Sequence, residues 1–264
     1  MTGSLASKHI IVTGASSGIG RAAAVMLAAR GAELLLVARD EAALGDVAGA
    51  IRAAGGRAEI CRADVGKLED TKAYVGRAQE LWDGVIDGLF ANAGMGGPVS
   101  SLWDYPLDGF DEVLAVNLKS LFWALQLVLP GMIERRAGSV VATGSLASER
   151  GLPMTSGYNV SKHAVLGLVR SAASEVARHG VRVNALIPGL IETRMLTEIA
   201  AAVSEGDVAA GLANFGRMSP QGRVGTAEEA AAIAAFLLSD EATYVNGQAI
   251  AADGGMLATI TNSM

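Results

Sequence analysis

The sequence predicts an α/β fold in which helices cover both faces of one parallel sheet of about seven strands. Short apolar segments recur along the chain, and between them apolar residues repeat at the three- and four-residue spacing of amphipathic helices. The composition agrees, since 51% of the 264 residues are hydrophobic, 18% are charged and 33 are glycine. Strands that alternate with helices form βαβ units, and such units build a parallel, doubly wound sheet.

The predicted strands are apolar runs bounded by turn residues. They cover residues 10–13, 34–38, 58–62, 88–91, 139–143, 181–187 and 248–252. The apolar periodicity predicts helices from residue 19 to a cap at Gly31, after residue 40, and over residues 68–81, 110–135, 157–179 and 226–238. No linker or repeat divides the chain, so residues 1–264 are predicted to form a single domain.

Composition and charge exclude several classes of function. The net charge is −6 and the basic residues are scattered, which gives no support for nucleic-acid binding. We expect neither a signal peptide nor a membrane span, because no apolar run approaches the roughly 20 residues that cross a bilayer. The three histidines are far apart, so no metal site is expected. The single cysteine, Cys61, suits a cytoplasmic protein, and its place in a predicted strand indicates a buried, inert thiol.

Residues 190–220 form a long stretch without a predicted strand. A connection of this length in a compact domain is usually a lid or a binding loop, so we interpret it as a substrate-binding loop. The alternative is a small helical excursion that only packs on the core.

The stretch TGASSGIG, residues 13–20, directly follows the first predicted strand. Ligands of open parallel sheets bind beyond the carboxyl ends of the strands, where the N-terminus of the next helix attracts an anion. Gly14 would permit the tight turn, Gly18 the close approach of a diphosphate, and Gly20 close packing of helix on sheet. This arrangement predicts a Rossmann-type dinucleotide site.

Tyr158 and Lys162 are four residues apart on a predicted helix, so they lie on the same face. Lowering the pKa of a tyrosine from ~10 to ~7 needs about 4 kcal/mol, which one positive charge at ~4 Å supplies at an effective dielectric constant of ~20. Ser145 follows a predicted strand at the same sheet edge, where its hydroxyl could bond a substrate oxygen. The three residues indicate acid–base chemistry at a carbonyl, and the alternative is a surface pair on a helix.

At these residues the chain resembles the short-chain dehydrogenase/reductase family, in the subdivision with a TGxxxGxG turn and a YxxxK pair. The resemblance covers nearly the whole chain in order, through Asp253-Gly254-Gly255, and departs from the family pattern at Ala91. It implies a catalytic set of Asn117, Ser145, Tyr158 and Lys162. It also implies that cofactor is bound by Gly14, Ser16, Ser17, Gly18, Ile19, Gly20, Arg39, Asp64, Val65, Asn92, Ala93, Gly94, Tyr158, Lys162, Pro188, Gly189, Ile191 and Thr193.

The activity that the resemblance implies is reversible hydride transfer between NAD(P)(H) and a ketone or secondary alcohol. In the reductive direction Ser145 polarises the carbonyl oxygen, Tyr158 donates the proton and Lys162 lowers the pKa of Tyr158. The resemblance alone implies that Asn117 connects Lys162 to solvent through water. Two alternatives are a NAD-dependent dehydrogenase of a cyclic, sugar or steroid-like alcohol, and a non-catalytic cofactor-sensing or scaffold protein.

The expected substrate pocket is mostly apolar, with walls formed by Leu146, Ala147, Met154, Leu190 and the 190–220 segment. This composition favours a neutral or hydrophobic ketone, cyclic ketones included. It does not exclude a 3-oxoacyl thioester.

The end of the second strand predicts the choice between NADP(H) and NAD(H), because it meets the adenosine ribose. An acid there would accept a hydrogen bond from the 2′-hydroxyl of NAD, but the aligned residue is Ala38. By the same family resemblance, Arg39 is placed as in NADP-preferring relatives, where a guanidinium binds the 2′-phosphate with paired charge-assisted hydrogen bonds. Two residues weaken this interpretation. Asp40 could turn toward a 2′-hydroxyl, and Ser17 occupies the position where some NADP enzymes carry a second basic residue. We predict that NADP(H) is preferred, with NAD(H) as the alternative.

Long apolar helices and the family resemblance together predict a homotetramer. A small-molecule ketone or alcohol is the other expected partner, and neither nucleic acid nor membrane is expected.

Overall fold

The computed structural model describes residues 5–259. Seven strands form one sheet in the order β3-β2-β1-β4-β5-β6-β7, and every pairing is parallel. Each predicted strand is present, with no end displaced by more than one residue, so the predicted fold class is confirmed. The strands are β1 (His9–Thr13), β2 (Glu33–Ala38), β3 (Arg57–Arg62), β4 (Gly88–Ala91), β5 (Gly138–Thr143), β6 (Val181–Pro188) and β7 (Ala249–Ala252).

Helices cover both faces of this sheet. They are α1 (Gly18–Ala29), α2 (Glu41–Ala53), α3 (Leu68–Leu81), α4 (Leu107–Leu114), α5 (Ser120–Arg135), α6 (Ser156–Val176), α7 (Arg194–Val203), α8 (Val208–Met218) and α9 (Ala227–Leu238). Apolar residues of α1, α2 and α9 form one buried cluster with the sheet, and those of α3, α5 and α6 form the other. The inner strands are therefore buried on both sides, which explains their largely apolar sequences, and the edge strands β3 and β7 are partly exposed.

Strand β1 lies where the order of the sheet reverses, since it pairs with β2 on one side and β4 on the other. The segments that follow β1 and β4 leave the sheet in divergent directions and open a crevice at the carboxyl ends of the strands. Ligands of such sheets bind in this crevice.

The long helix predicted over residues 110–135 begins earlier, at Leu107, and is interrupted by a π-helical turn at Ala115–Lys119. π-Turns occur mostly at functional sites, and this one carries Asn117. The combined stretch Leu107–Arg135 is long and apolar enough to cross a membrane by length and composition. Here α5 instead packs its apolar side against α3 and the sheet, as a core helix does.

Two elements differ from their predictions. The predicted loop at 190–220 is largely the helical pair α7 and α8, whose first turns are capped by Thr193 and Asp207. The thiol of Cys61 is half-buried, not buried, because β3 is an edge strand. Partial burial raises the pKa of this thiol, which keeps it protonated.

Candidate active site

The glycine turn after β1 is built by backbone contacts that exclude side chains. Gly14 has φ +66°, and a Cβ there would lie 2.9 Å from the Cα of Ala93. A Cβ on Gly20 would overlap the carbonyl oxygen of Gly14. Gly20 therefore makes room for the turn itself, and our interpretation that it serves packing of helix on sheet was wrong.

The first turn of α1 follows this glycine turn and has no side-chain cap. Ser17, the residue before the helix, is extended and its hydroxyl bonds no N–H group of the first turn. Ser16 is half-buried, and Ile19 packs against the core. Uncapped N–H groups beside a narrow glycine turn are a donor set that suits a diphosphate, so this part of the chain fits a dinucleotide.

Asn92 connects the glycine turn to β5. Its side-chain amide donates to the carbonyl oxygens of Thr13 and Gly14 at 3.3 and 3.5 Å, and its Oδ1 accepts from the Thr143 hydroxyl at 3.1 Å. The Thr13 hydroxyl accepts from the N–H groups of Asn92 and Ala93, each at 3.1 Å. The ends of β1, β4 and β5 are thus held in one network.

Lys162 projects from α6 into the interior beside this network. Its side chain is almost completely buried, and Nζ donates to the carbonyl oxygen of Thr143 at 2.7 Å. Nζ also lies 5.8 Å from the ring centroid of Tyr158, one turn earlier on α6, and Gly94 packs beside it. Burial lowers the pKa of Lys162 to about 8.

Tyr158 and Ser145 are brought together as predicted, with the Ser145 hydroxyl close enough to act on the pKa of Tyr158. Ser145 begins the 3₁₀ turn Leu146–Ser148, and its Oγ also accepts from the Ala147 N–H at 3.2 Å. Burial raises the pKa of Tyr158, although the neighbouring Ser145 hydroxyl opposes the shift. Lys162 is not among the groups that shift this pKa, so its predicted role in lowering the pKa of Tyr158 stays a prediction.

Asn117 is buried in the π-turn and clamps the segment after β4. Its Oδ1 accepts from the Met95 N–H at 2.8 Å, and its Nδ2 donates to the Met95 carbonyl at 2.9 Å. Nδ2 also donates to the Ser161 hydroxyl at 3.0 Å, and that hydroxyl donates to the Tyr158 carbonyl at 2.7 Å. The side chain of Asn117 therefore positions the walls of the crevice, and the proton relay stays a prediction.

The residues predicted at the adenosine end lie at the carboxyl ends of β2 and β3. Arg39 is exposed, and the carboxylate of Asp40 accepts from the Ala43 N–H at 3.0 Å, as the cap of α2. Asp64 is half-buried and accepts from the Gly66 N–H at 3.1 Å, while Val65 packs into the core.

The residues predicted beside the nicotinamide follow β6. Pro188 ends the strand, and a Cβ on Gly189 would lie 2.6 Å from the Cα of Asp253. Ile191 is buried in the core, and its predicted role in binding cofactor stays a prediction. The Thr193 methyl would lie 3.1 Å from a Cβ on Gly18, which places the start of α7 over the glycine turn.

The apolar pocket differs from its prediction at Ala147, which is fully buried in the fold and cannot contact a substrate. Met154 is 52% exposed, and on α7 the side chains of Met195, Ile199 and Val203 are also exposed. Leu190 lines a cavity of about 360 Å³ between α9 and the end of β7, away from Ser145 and Tyr158.

Three polar residues that hold the site were missed by sequence reasoning: Thr13, Thr143 and Ser161. Each acts on backbone groups or on another positioning side chain. The available signal was their position in the sequence: Thr13 ends β1, Thr143 ends β5 and Ser161 directly precedes Lys162.

Comparison with known proteins agrees with this geometry. A family model described as "Enoyl-(Acyl carrier protein) reductase" matches residues 14–257. Levodione reductase of Leifsonia aquatica is 39% identical over 251 residues, covering 94% of each chain. Cyclohexanol dehydrogenase of Acinetobacter sp. (strain SE19) is 34% identical over 254 residues, covering 96% of each.

Solved structures agree as well. The crystal structure of levodione reductase superposes with a TM-score of 0.92 at 37% identity, covering 96% of this chain and 99% of that one. Actinorhodin polyketide ketoreductase with NADPH gives 0.90 at 30% identity, covering 96% and 98%. The chain belongs to the short-chain dehydrogenase/reductase family and is one of its oxidoreductases.

Proposed function

We propose that the protein is an NADP(H)-preferring carbonyl reductase that interconverts a ketone and a secondary alcohol. The observation that carries this proposal is that Ser145 and Tyr158 lie together beside the buried amine of Lys162, whose Nζ is 5.8 Å from the Tyr158 ring centroid and donates to the Thr143 carbonyl. The pair converges on one point at the carboxyl edge of the sheet, where a carbonyl oxygen could accept from both hydroxyls.

The chain's own residues would move a proton while the bound cofactor supplies the hydride. The Ser145 hydroxyl would donate to the carbonyl oxygen and orient it. Because burial raises the pKa of Tyr158, its phenol stays protonated at neutral pH and can deliver the proton. The ammonium of Lys162 favours the phenolate that remains, until solvent returns a proton.

The NADP(H) preference rests on the end of β2. Ala38 cannot accept a hydrogen bond from a ribose hydroxyl, and the Asp40 carboxylate is engaged in capping α2. Arg39 is exposed at the position where a 2′-phosphate would lie. The diphosphate would be held by the glycine turn and the first turn of α1.

The substrate that fits best is a neutral, apolar ketone, and cyclic ketones are the first class to test. Met154 and the methionine and aliphatic side chains of α7 are exposed, and α7 begins over the glycine turn. A relative named for cyclohexanol supports a cyclic substrate and makes alcohol oxidation the second candidate direction.

A panel assay tests the proposal: cyclic ketones, acyclic ketones and a 3-oxoacyl thioester, each with NADPH and with NADH. We expect a higher kcat/KM for a cyclic or apolar ketone than for the thioester, and for NADPH than for NADH. A preference for the thioester would overturn the substrate class, and a preference for NADH the cofactor assignment. No turnover with any compound in either direction would favour a non-catalytic protein.

We further propose that the chain acts as one domain in the cytoplasm. The single continuous sheet supports the first point, and a lone cysteine that is half-buried supports the second.

A further inference from the structure

Two arginines, Arg39 and Arg62, lie next to each other at the carboxyl ends of β2 and β3. Strand pairing sets Ala38 opposite Arg62, so Arg62 lies beside the turn that begins at Arg39. The Nε of Arg62 donates to the carbonyl oxygen of Arg39 at 3.3 Å, and both side chains are exposed. The sequence interpretation singled out Arg39 only.

Among the described residues, neither of these two arginines has the acidic partner that Arg57, the other arginine of β3, has. At the other end of strands β2 and β3, the Nη1 of Arg57 lies 2.8 Å from a carboxylate oxygen of Glu33. Within residues 5–259, neither Arg39 nor Arg62 has a carboxylate within 4.0 Å. The nearby Asp40 and Asp64 accept from the N–H groups of their own turns.

Like charges placed together repel each other, and a bound anion relieves this repulsion. A dianionic phosphate monoester matches two guanidinium groups in charge, and each guanidinium can present paired donors to it. Because the Nε of Arg62 is tied to the Arg39 carbonyl, the two Nη groups of Arg62 carry its remaining donors.

We propose that Arg62 binds the 2′-phosphate of NADP(H) together with Arg39, and that its Nε bond positions the turn that carries Arg39. This inference rests on the proposed NADP(H) preference. Arg62 thereby supplies from β3 the second positive charge that Ser17 does not supply from the glycine turn.

The test measures cofactor affinity without substrate, by fluorescence titration of the full chain with NADPH and with NADH. NADH lacks the 2′-phosphate and is therefore the internal control. We expect Arg62→Ala to weaken NADPH binding by about 10- to 100-fold, and to leave NADH binding within about threefold. Arg62→Lys keeps a charge but lacks the fork of donors, so it should retain part of the affinity for NADPH.

Two further variants complete the design. Arg39→Ala should lose NADPH affinity as Arg62→Ala does. Arg57→Ala, which removes a paired arginine at the other end of the strands, should change neither affinity. Equal binding of NADPH and NADH by the parent would overturn the proposed cofactor preference and this inference with it. If the parent prefers NADPH and only Arg39→Ala removes that preference, Arg62 has no such role. Equal losses for both cofactors in Arg62→Ala would show a purely structural effect and also overturn the inference.

Discussion

Lys162 is a buried cation whose environment opposes its charge. Burial lowers its pKa from 10.5 to about 8, and its ammonium donates to a single main-chain carbonyl, that of Thr143. The shift corresponds to about 3 kcal/mol that the native state loses by holding the charged form. The fold tolerates this cost because Lys162 lies at the site, where a cation beside a tyrosine is useful.

This cost makes stability depend on pH in a defined direction. Below pH 8 both the native and the unfolded states hold the proton, so the penalty is present in full. Between pH 8 and 10.5 the native state releases the proton and the unfolded state keeps it, so the free energy of unfolding rises with pH. We expect Lys162→Met to lack this rise, so that the parent gains up to about 3 kcal/mol relative to the variant across the window.

Urea unfolding of parent and variant at several pH values measures the difference. Removal of Nζ leaves the Thr143 carbonyl without its donor, which shifts the variant's stability by an amount that does not vary with pH. A difference between the two proteins that stays constant from below pH 8 to pH 10.5 would contradict the burial argument.

At the scale of elements, the turn between β1 and α1 depends on the absence of a side chain at Gly20. A methyl group there would overlap the Gly14 carbonyl and force the turn open. Overpacking of this kind costs about 1–3 kcal/mol, so we expect Gly20→Ala to destabilise the fold and weaken NADPH binding by roughly tenfold or more. Thermal unfolding and cofactor titration measure the two effects.

A matched control lies in α2. Gly45 is exposed within that helix, and a Cβ there would have no atom within 4 Å. Gly45→Ala should therefore stabilise the protein by about 0.5–1 kcal/mol without changing cofactor affinity. If both variants behaved alike, the close approach at Gly20 would not matter.

The inner strands could be predicted from the sequence because they are buried on both faces and are largely apolar runs, whereas the edge strands β3 and β7 are partly exposed. Helices α7 and α8 were not predicted as helices. On α7, Met195, Ile199 and Val203 are spaced four residues apart as in a helix, but this face is exposed, and the stretch was interpreted as a loop from its length without a strand. The turn at Glu205 and Gly206, both with positive φ, separates the two helices.

The pairing of Ser145 with Tyr158 could be predicted because sheet topology brings them to one edge. The contacts of Lys162 and Asn117 could not be predicted, because these side chains bind main-chain carbonyl groups of Thr143 and Met95. Every residue has a main-chain carbonyl, so the sequence does not indicate which one is bound. Arg62 was missed for a related reason, because only the register of β2 with β3 sets it beside Arg39.

At the scale of the whole molecule, we predict a homotetramer. Phe122 on α5 and Val160 on α6 are 45% and 48% exposed, and both belong to long helices rich in apolar residues. Burying such positions between copies of the chain would remove apolar surface from water. Light scattering at micromolar concentration should give four times the chain mass of 26.9 kDa, and a monomer there would refute the prediction.

The central claim is that the hydroxyl of Tyr158 delivers the proton to a carbonyl oxygen held by Ser145. Tyr158→Phe removes only that hydroxyl and keeps the ring, so the fold and the cofactor site should remain. The direct measurement is NADPH consumption with a ketone that the parent accepts, alongside fluorescence titration of NADPH binding. We expect turnover to fall by about 10²- to 10⁴-fold while NADPH affinity stays unchanged. Activity within tenfold of the parent, with binding intact, would contradict the account.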